Sequence, residues 1–408
     1  MGAAAERYFV PVVIGFAPVI FALVTWPIGD LTPMRSFLLI TALPVAAAEL
    51  FVIMVAFREG LAAWIQATPL PRPVTTAVIV WLAIGIVTSL WIAPADIAAI
   101  RWTLLWIVHL IFGFSVAFLF SRQLRASDLI ICYIGGFVIY SAIYVAFVLT
   151  HWNKPIDWVH HIPGAVHIRH IAIYAAAVTG MSIATMATNP KRVMRILAFV
   201  VATVGFGIGL WTGARGMVLS VIGATMLAAL FLPAMRTAKG LGAAALSLGI
   251  ALFAVAWLPT PDAEMMGVAR QVAATTEREL TTGRLQIWAN VIHAITRSPI
   301  LGYGPGQMPV VAPFYGMGQP HNLFLQVLLD WGLIGLACVL IVTFFYLRRA
   351  IPTVRSKAAE LAAPMMAMLS LLLLSMIDAA MFHVLPLSIF AACAGLIAAA
   401  WQRENVSR

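Results

Sequence analysis

The sequence predicts an all-α, polytopic integral membrane protein with about twelve transmembrane helices. Of its 408 residues, 62% are hydrophobic and only 10% are charged, and the mean hydropathy is +0.99. Charged residues normally make up about a quarter of a soluble protein, because they must cover its surface. This composition is typical of a protein that is embedded in the lipid bilayer. The net charge of +10 comes mostly from residues between apolar runs, so it reflects topology and does not indicate nucleic-acid binding.

Twelve segments each provide the roughly 20 largely apolar residues that a membrane-spanning helix needs. We treat residues 1–408 as a single membrane domain. The first apolar run lacks a small-residue cleavage site, so we expect an uncleaved first span. The three cysteines lie inside apolar runs without metal-ligand spacing and are interpreted as packing residues. The predicted spans begin near Phe9, Phe37, Val74, Trp102, Leu129, Ile171, Ile196, Gly216, Leu241, Leu323, Leu361 and Leu385.

The distribution of basic residues between loops predicts the orientation, because cytoplasmic loops carry an excess of Lys and Arg. With the N-terminus inside, sixteen of the 25 basic residues fall on the inner side, five in short outer loops and four in one long outer loop. Both termini are therefore expected in the cytoplasm. The five in short outer loops are Arg35, Arg101, Lys154, Arg169 and Arg215.

Two outer loops hold most of the polar residues. The first, from about Thr150 to His170, contains five of the nine histidines. The second, residues 259–321, is inserted between the ninth and tenth spans. Its stretch TTGRLQIWANVIHAI has apolar residues at helical spacing, which predicts an amphipathic helix on the membrane surface. A long loop in a chain with few other loops indicates function.

His321 is the strongest candidate for a catalytic residue. It follows Pro320 and opens the tenth span, so we expect it at a helix N-terminus at the outer membrane interface. The helix dipole there disfavours added positive charge and leaves the imidazole available as a base. Gly332 is expected on the same helix face, where it lets another helix approach. The alternative is a histidine that only caps the span. Asp330 and Asp378 are the notable acids in or near spans, and Asp330 is expected to serve a helix–helix contact.

Two arginines are positioned to bind an anion. Arg215 lies in a tight break between two spans at the outer hydrocarbon boundary, where a charge is costly and indicates function. Arg284 heads the predicted amphipathic helix, whose free N–H groups also favour an anion. Two guanidinium groups near one histidine indicate a doubly anionic group, because the guanidinium fork matches phosphate oxygens. For Arg215, the alternative is an arginine that snorkels to lipid headgroups.

Arg169 and His170 open the sixth span and are weaker candidates, with a structural role as the alternative. His160, His161 and His167 could bind a metal, but no acidic or cysteine partner completes a ligand set. We therefore expect neither a metal nor a cofactor. The sequence has no P-loop, no dinucleotide-binding glycine pattern and no Asp-x-Asp pair. An activated donor is accordingly expected to be something other than a nucleotide.

Two local motifs resemble those of the bacterial O-antigen ligase and polymerase superfamily. In that superfamily a His is followed by Asn, Ser or Lys, then by nine residues and a Gly, a pattern that His321, Asn322 and Gly332 match. An Arg-Gly pair also stands at the outer end of a span, as Arg215 and Gly216 do here. Each motif is weak alone, but both occur in the family's order.

A third motif strengthens the resemblance. The superfamily has a Gly-Arg and Trp pattern before a Gly-rich stretch, matched here by Gly283, Arg284 and Trp288 ahead of three further glycines. The arrangement of spans, with the long loop before the last three, is also similar. The glycines of the following stretch are Gly302, Gly304 and Gly306.

The resemblance implies a metal-independent, GT-C-like glycosyltransferase with its site on the periplasmic face of a Gram-negative inner membrane. It implies an undecaprenyl-pyrophosphate-linked O-antigen donor and a lipid A-core acceptor, with the anomeric carbon inverted on transfer. His321 would be the general base, Arg215 and Arg284 would bind the pyrophosphate, and Arg169 would be a weaker third ligand. Supporting roles fall to Asn322, Gly332, Gly216, Trp288 and His170.

Several alternatives stay open at this point. O-antigen polymerases and protein O-oligosaccharyltransferases share the donor and the motifs, but the chain is compact, which favours a ligase. A lipid or polysaccharide transporter would also have many spans, but it should show internal repeats and polar groups deep in the spans. A scaffold would leave His321, Arg215 and Arg284 without a purpose. Besides donor and acceptor, the expected partners are membrane lipids, and a monomer and a weak oligomer are both compatible with the sequence.

Overall fold

The computed structural model describes residues 3–26, 37–39, 41–122, 124–154, 156–262, 266–267, 283–314, 318–378 and 380–406. Every regular element in these residues is a helix, and none is a strand. Within this part of the chain, nine helices are long and apolar enough to cross a membrane by length and composition. The chain is therefore a multi-pass membrane protein, as predicted.

The first half of the chain consists of apolar helices joined by short connections. A single irregular turn, Thr88–Ile92, extends α4. These helices are α1 (Ala3–Val24), α2 (Leu43–Arg58), α3 (Leu61–Ala67), α4 (Arg72–Val87), α5 (Asp96–Arg122), α6 (Ala126–His151) and α7 (Ile168–Thr188).

The second half contains the amphipathic surface helix α11 and the long helix α13. Short helical turns at Pro233–Arg236, Ala238–Gly242 and Ala380–Phe382 connect some of its elements. The helices are α8 (Arg192–Trp211), α9 (Arg215–Phe231), α10 (Ala243–Trp257), α11 (Arg284–Arg297), α12 (Met308–Val311), α13 (Leu323–Ser356), α14 (Ala358–Ser375) and α15 (Val384–Val406).

Each of the twelve predicted apolar segments contains a helix, but three of these helices are short for a span. They are α9, the apolar part of α1 at Phe9–Val24, and α2, which has 16 residues. The number twelve therefore stays a prediction, as does the GT-C-like arrangement. The amphipathic helix predicted in the long loop is confirmed as α11. Residues 263–265, 268–282 and 315–317 of that loop, including Arg270 and Arg278, lie outside the described residues.

Helix α7 lies at the centre of the bundle, and 89% of its apolar window is buried. It packs against α8 and α14, while α15 packs along α5 and α1 along α6. Small residues make this close packing possible: Ala175 and Ala176 are fully buried, and Gly180 lies against Met366 and Ser370 of α14. The first turn of α7 is consequently surrounded by other helices.

Basic side chains bind helix-terminal carbonyls at one end of the bundle, called here the basic end. Arg403 donates to the carbonyl of Ser121 (3.1 Å), and Arg355 donates to the carbonyl of Phe231 at the end of α9 (2.8 Å). Such cations offset the negative ends of helix dipoles. The opposite end, where α7, α9 and α13 begin, is called the site end.

Two tryptophans mark the site end as a membrane interface. Trp91 follows α4 and is 74% exposed, and Trp257 ends α10 and is 77% exposed. Tryptophan is enriched where hydrocarbon meets headgroups, because its ring is apolar and its N–H is polar. Large apolar side chains such as Phe253 are also exposed on the flanks of the bundle, as expected for a surface in contact with lipid.

Candidate functional site

His321 is held in place by its two chain neighbours. The carbonyl of Pro320 accepts a hydrogen bond from Nε1 of Trp288 in α11 (2.9 Å). Asn322 is the N-cap of α13: its Oδ1 accepts from the backbone N–H of Leu325 (3.1 Å), and its Nδ2 donates to the carbonyl of Met376 (3.2 Å). Asn322 and Trp288 were expected as supporting residues, and these contacts assign both a positioning role.

The backbone of His321 adopts an uncommon conformation. Its φ is +53°, in the left-handed region that residues other than glycine rarely occupy. Such a conformation costs on the order of 1–3 kcal/mol and persists only where the surrounding contacts impose it. The contacts of Trp288 and Asn322 do so here, and the expected position just before a helix start is confirmed, since α13 begins at Leu323.

The side chain of His321 pairs with Asp378. Its Nδ1 lies 3.0 Å from Oδ1 of Asp378, and the two side chains are 23% and 19% exposed. A carboxylate accepts, so the pairing places the ring proton on Nδ1 and leaves Nε2 as the basic nitrogen. The carboxylate also stabilises the imidazolium that forms when Nε2 takes up a proton. The arrangement suits a general base.

The two predicted anion-binding arginines lie near this carboxylate. Burial lowers the pKa of the Arg284 guanidinium, Asp378 raises it and Arg215 lowers it, so Arg284 is within electrostatic range of both. Arg215 and Arg284 are the first residues of α9 and α11. Two helix N-termini therefore add their positive ends to two guanidinium charges.

Gly216 brings the start of α9 against the end of α14. A Cβ at this position would lie 3.2 Å from Leu374 and 3.3 Å from Ile377. Because Asp378 follows Ile377 directly, this packing fixes Arg215 beside the segment that carries the carboxylate. The predicted supporting role of Gly216 thus corresponds to a close helix–helix contact.

Gly332 has a different role from the predicted one. Its φ of +62° and ψ of −163° interrupt α13, and a Cβ there would overlap the backbone of Ile300. The carbonyl that precedes the break and the N–H that follows it pair with a loop: Gly304 N donates to Asp330 O (2.9 Å), and Leu333 N donates to Pro299 O (2.8 Å). The expectation that another helix approaches Gly332 was wrong, because the 299–304 segment occupies this position.

The same loop explains two further residues of the sequence analysis. Gly302 has φ +70°, and its Cα faces the backbone of Leu329 and Asp330 so closely that only glycine fits. The carboxylate of Asp330 accepts from Nε2 of Gln326 (2.8 Å) and from the backbone of Gly306. Asp330 therefore serves a helix–loop contact and not the expected helix–helix contact.

A second group of side chains approaches Asp378 from the head of α7. The rings of His170 and His383 are 4.2 Å apart between centroids, and both residues interact electrostatically with Asp378 and His321. Burial lowers the pKa of His383 to about 4, against the opposing effect of Asp378. The ring of His383 is therefore neutral at physiological pH. Arg169, whose backbone N–H donates to Nδ1 of His167 (3.1 Å), stands next to this group, and its role as an anion ligand stays a prediction.

Three residues in or next to the turn between α14 and α15 have no role that was predicted from the sequence. Asp378 and His383 lie in this turn, and Gln319 donates from Nε2 to the carbonyl of Phe382 (3.1 Å). The Oε1 of Gln319 is buried, and within the described residues no donor reaches it. The available signal was a single acid and a single histidine in an otherwise apolar connection, MIDAAMFH.

The structure identifies no metal centre in the part of the chain that it describes. No three His, Cys, Asp or Glu side chains there are arranged to hold a metal ion. Of the proposed histidine cluster, His160 instead pairs through Nδ1 with Oδ2 of Asp157 (2.8 Å), and His167 caps α7.

Residues 197–340 match the family model described as O-antigen ligase. This segment is similar to the O-antigen ligase family. No curated protein matches the chain. The family is associated with O-antigen ligase or polymerase activity, a form of glycosyl transfer. The matched segment includes Arg215, Arg284 and His321, whereas Asp378 and His383 of the same site lie beyond its last residue.

Proposed function

We propose that the chain is an O-antigen ligase that transfers O-antigen polysaccharide from undecaprenyl pyrophosphate to the lipid A-core oligosaccharide. The observation that carries this proposal is the contact of His321 Nδ1 with Asp378, beside the electrostatically linked Arg284 and Arg215. It joins a base for a hydroxyl nucleophile to a cationic site for a pyrophosphate leaving group. Glycosyl transfer from a polyprenyl pyrophosphate needs both.

In the proposed reaction, Nε2 of His321 removes the proton of an acceptor hydroxyl as its oxygen attacks the anomeric carbon of the donor. The bond between that carbon and the phosphate oxygen breaks, and its electron pair stays on the departing pyrophosphate. The carbon is inverted, because the nucleophile enters opposite the leaving group. The proton on His321 then passes to water or to the released pyrophosphate.

Arginines take the role that a divalent metal has in many phosphate-binding sites. The leaving group gains negative charge as the glycosidic bond breaks, and fixed cations stabilise that charge most where water is largely excluded. Arg284 is half-buried, and Arg215 is half-buried at the start of α9. Their planar guanidinium groups can bind two phosphate oxygens at once.

The proposed location is the periplasmic face of a Gram-negative inner membrane, with both termini in the cytoplasm. The distribution of basic residues supports this orientation. Arg355 and Arg403 bind carbonyls at the basic end, opposite the site, and cytoplasmic loops are the ones enriched in basic residues. Exposed tryptophans at the site end are compatible with a reaction at the membrane interface, where both lipid-linked substrates have their headgroups.

The test is a gel of lipopolysaccharide from a ligase-deficient host that expresses this chain. Restored long ladders attached to the lipid A-core support the proposal, provided that His321→Ala, expressed at the same level, restores none. Rescue of a polymerase-deficient strain, with no rescue of the ligase-deficient one, would instead assign the chain as an O-antigen polymerase. Rescue of neither strain, with normal insertion into the membrane, would refute glycan transfer of this kind.

A further inference from the structure

Four histidine rings form a row that leads from an exposed loop to the site. The centroid distances are 5.4 Å from His160 to His167, 5.8 Å from His167 to His170 and 4.2 Å from His170 to His383. The side chain of His160 is 53% exposed, and the other three residues are half-buried. We call these four residues the histidine row. It begins in the loop before α7 and ends in the turn that carries Asp378.

The histidine row and the two arginines approach the same pair of residues, His321 and Asp378. The groups that act electrostatically on Arg284 are Asp378 and Arg215. Those that act on His383 are Asp378 and His321. Asp378 is common to both sets. The site thus has an arginine side, formed by the starts of α9 and α11, and a histidine side, formed by the loop before α7 and the turn before α15.

These two sides fit the geometry of an inverting displacement. The nucleophile and the leaving group must lie on opposite faces of the anomeric carbon, with the base next to the nucleophile. If the arginine side holds the pyrophosphate, the acceptor hydroxyl has to arrive from the histidine side. A neutral imidazole nitrogen can donate a hydrogen bond to a sugar hydroxyl or accept one from it. Because Nδ1 of His160 pairs with Asp157 and Nδ1 of His167 accepts from the backbone of Arg169, Nε2 is the nitrogen that these two rings present to the acceptor. Close to the site, burial keeps the His383 ring neutral, so this ring adds no positive charge that would compete with the arginines for the pyrophosphate.

From this arrangement we propose that the histidine row is the binding subsite for the acceptor glycan, whose hydroxyl His321 activates. The inference deepens the proposed function and rests on it. Sugar residues of the acceptor lie along His160, His167 and His170, with hydroxyl groups bonded to the ring nitrogens, and the nucleophilic hydroxyl reaches His321 beyond them. The buried Oε1 of Gln319 is an additional acceptor at the inner end.

Two substitutions in the outer part of the row test this subsite. His160→Ala removes an exposed ring, and His167→Asn removes a ring but keeps a side-chain oxygen that can cap α7. The control is His161→Ala, because in the described structure the His161 ring contacts none of the four rings. Purified variants are assayed in detergent with undecaprenyl-pyrophosphate-linked O-antigen and lipid A-core, varying each substrate separately.

We expect each row variant to raise the KM for the acceptor roughly fivefold, the effect of one lost hydrogen bond, and to leave the donor KM and kcat nearly unchanged. The control should match the wild type. An unchanged acceptor KM in both row variants overturns the proposal. So does a selective rise in the donor KM, which would place the donor on the histidine side.

A second measurement separates this inference from the proposed function. Binding of deacylated lipid A-core oligosaccharide to the purified protein is followed by titration calorimetry, which requires no transfer. If the wild type transfers nothing to lipid A-core, the proposed function fails, but weaker binding in the row variants than in His161→Ala still supports the subsite. Equal binding in all variants, or none in the wild type, rejects the row as the site for this acceptor.

Discussion

The charge of Asp378 should govern the rate of transfer and not the affinity for the donor. Asp378→Asn keeps the size of the side chain and can keep a hydrogen bond to Nδ1 of His321, which lies 3.0 Å from the present carboxylate. It removes the negative charge that stabilises the imidazolium. The amide can also donate to Nδ1, which would move the ring proton to Nε2 and block the base.

The size of the effect follows from the distance and the exposure of the pair. Charge centres about 4 Å apart attract by about 4 kcal/mol at the effective dielectric of a protein surface. Because both side chains are about a fifth exposed, solvent screening reduces this attraction. We therefore expect the loss of the Asp378 charge to raise the activation free energy by about 2–4 kcal/mol. That range corresponds to a loss of roughly 30- to 1,000-fold in kcat. The donor KM should not rise, since Asp378 also opposes the attraction of Arg284 for pyrophosphate.

The assay is steady-state transfer by purified protein, with donor and acceptor varied separately. Asp128→Asn is the matched control, because it removes the same charge at the first turn of α6, at the opposite end of the bundle. A kcat for Asp378→Asn close to that of the control would refute the pairing as a catalytic device. A raised donor KM with normal kcat would show instead that the carboxylate organises the arginines.

Four further outcomes are expected. His321→Gln should lower kcat by about 10²- to 10⁴-fold, the usual contribution of a general base, with unchanged binding of the donor; residual transfer near the wild-type rate would exclude the base. Arg215→Lys should raise the donor KM and lower kcat by about tenfold or more in the same assay, because an ammonium cannot bind two phosphate oxygens as a guanidinium does; equal kinetics would favour a lipid-snorkelling arginine. Gly332→Ala should lower the thermal unfolding temperature in detergent, since its Cβ would overlap the backbone of Ile300 at φ +62°; an unchanged temperature would contradict the observed helix break. His383 should make stability pH-dependent: its folded pKa of about 4 lies below the ordinary 6.5, so the unfolded state binds the proton first and stability falls as pH decreases from about 6.5 to 4. In His383→Gln the unfolding temperature should therefore fall less between pH 6.5 and pH 4 than in the wild type. Identical pH profiles for the two proteins would contradict this prediction.

The helices and three site residues were predictable because they depend on local sequence. A span is a run of apolar residues about as long as the bilayer is thick, so each run can be found without knowing its neighbours. Arg215, Arg284 and His321 stand at breaks between such runs, and the structure confirms each at or next to a helix start. An ionisable residue at the boundary of an apolar run is conspicuous in the sequence alone.

The roles of Asp378 and Gly332 could not be predicted in the same way. The contact of Asp378 with His321 joins residues 57 positions apart, and nothing in either segment specifies the pairing. Gly332 lies inside a continuous apolar run whose composition predicts an unbroken helix. Its break is stabilised by hydrogen bonds to the 299–304 segment, so only the tertiary structure reveals it. The prediction was correct about the element and wrong about the partner.

These long-range contacts also determine which part of the chain forms the site. Residues 197–340 carry the family match, but His321 is fixed by contacts that cross its boundary: Asn322 binds the carbonyl of Met376, and Asp378 pairs with the ring. The turn before α15 in turn contacts the head of α7, where His170 meets His383. A base without Asp378 would lack the acceptor that fixes its tautomer. The matched region therefore does not form the candidate site by itself, because the position of its histidine depends on the turn between α14 and α15, which packs against the head of α7.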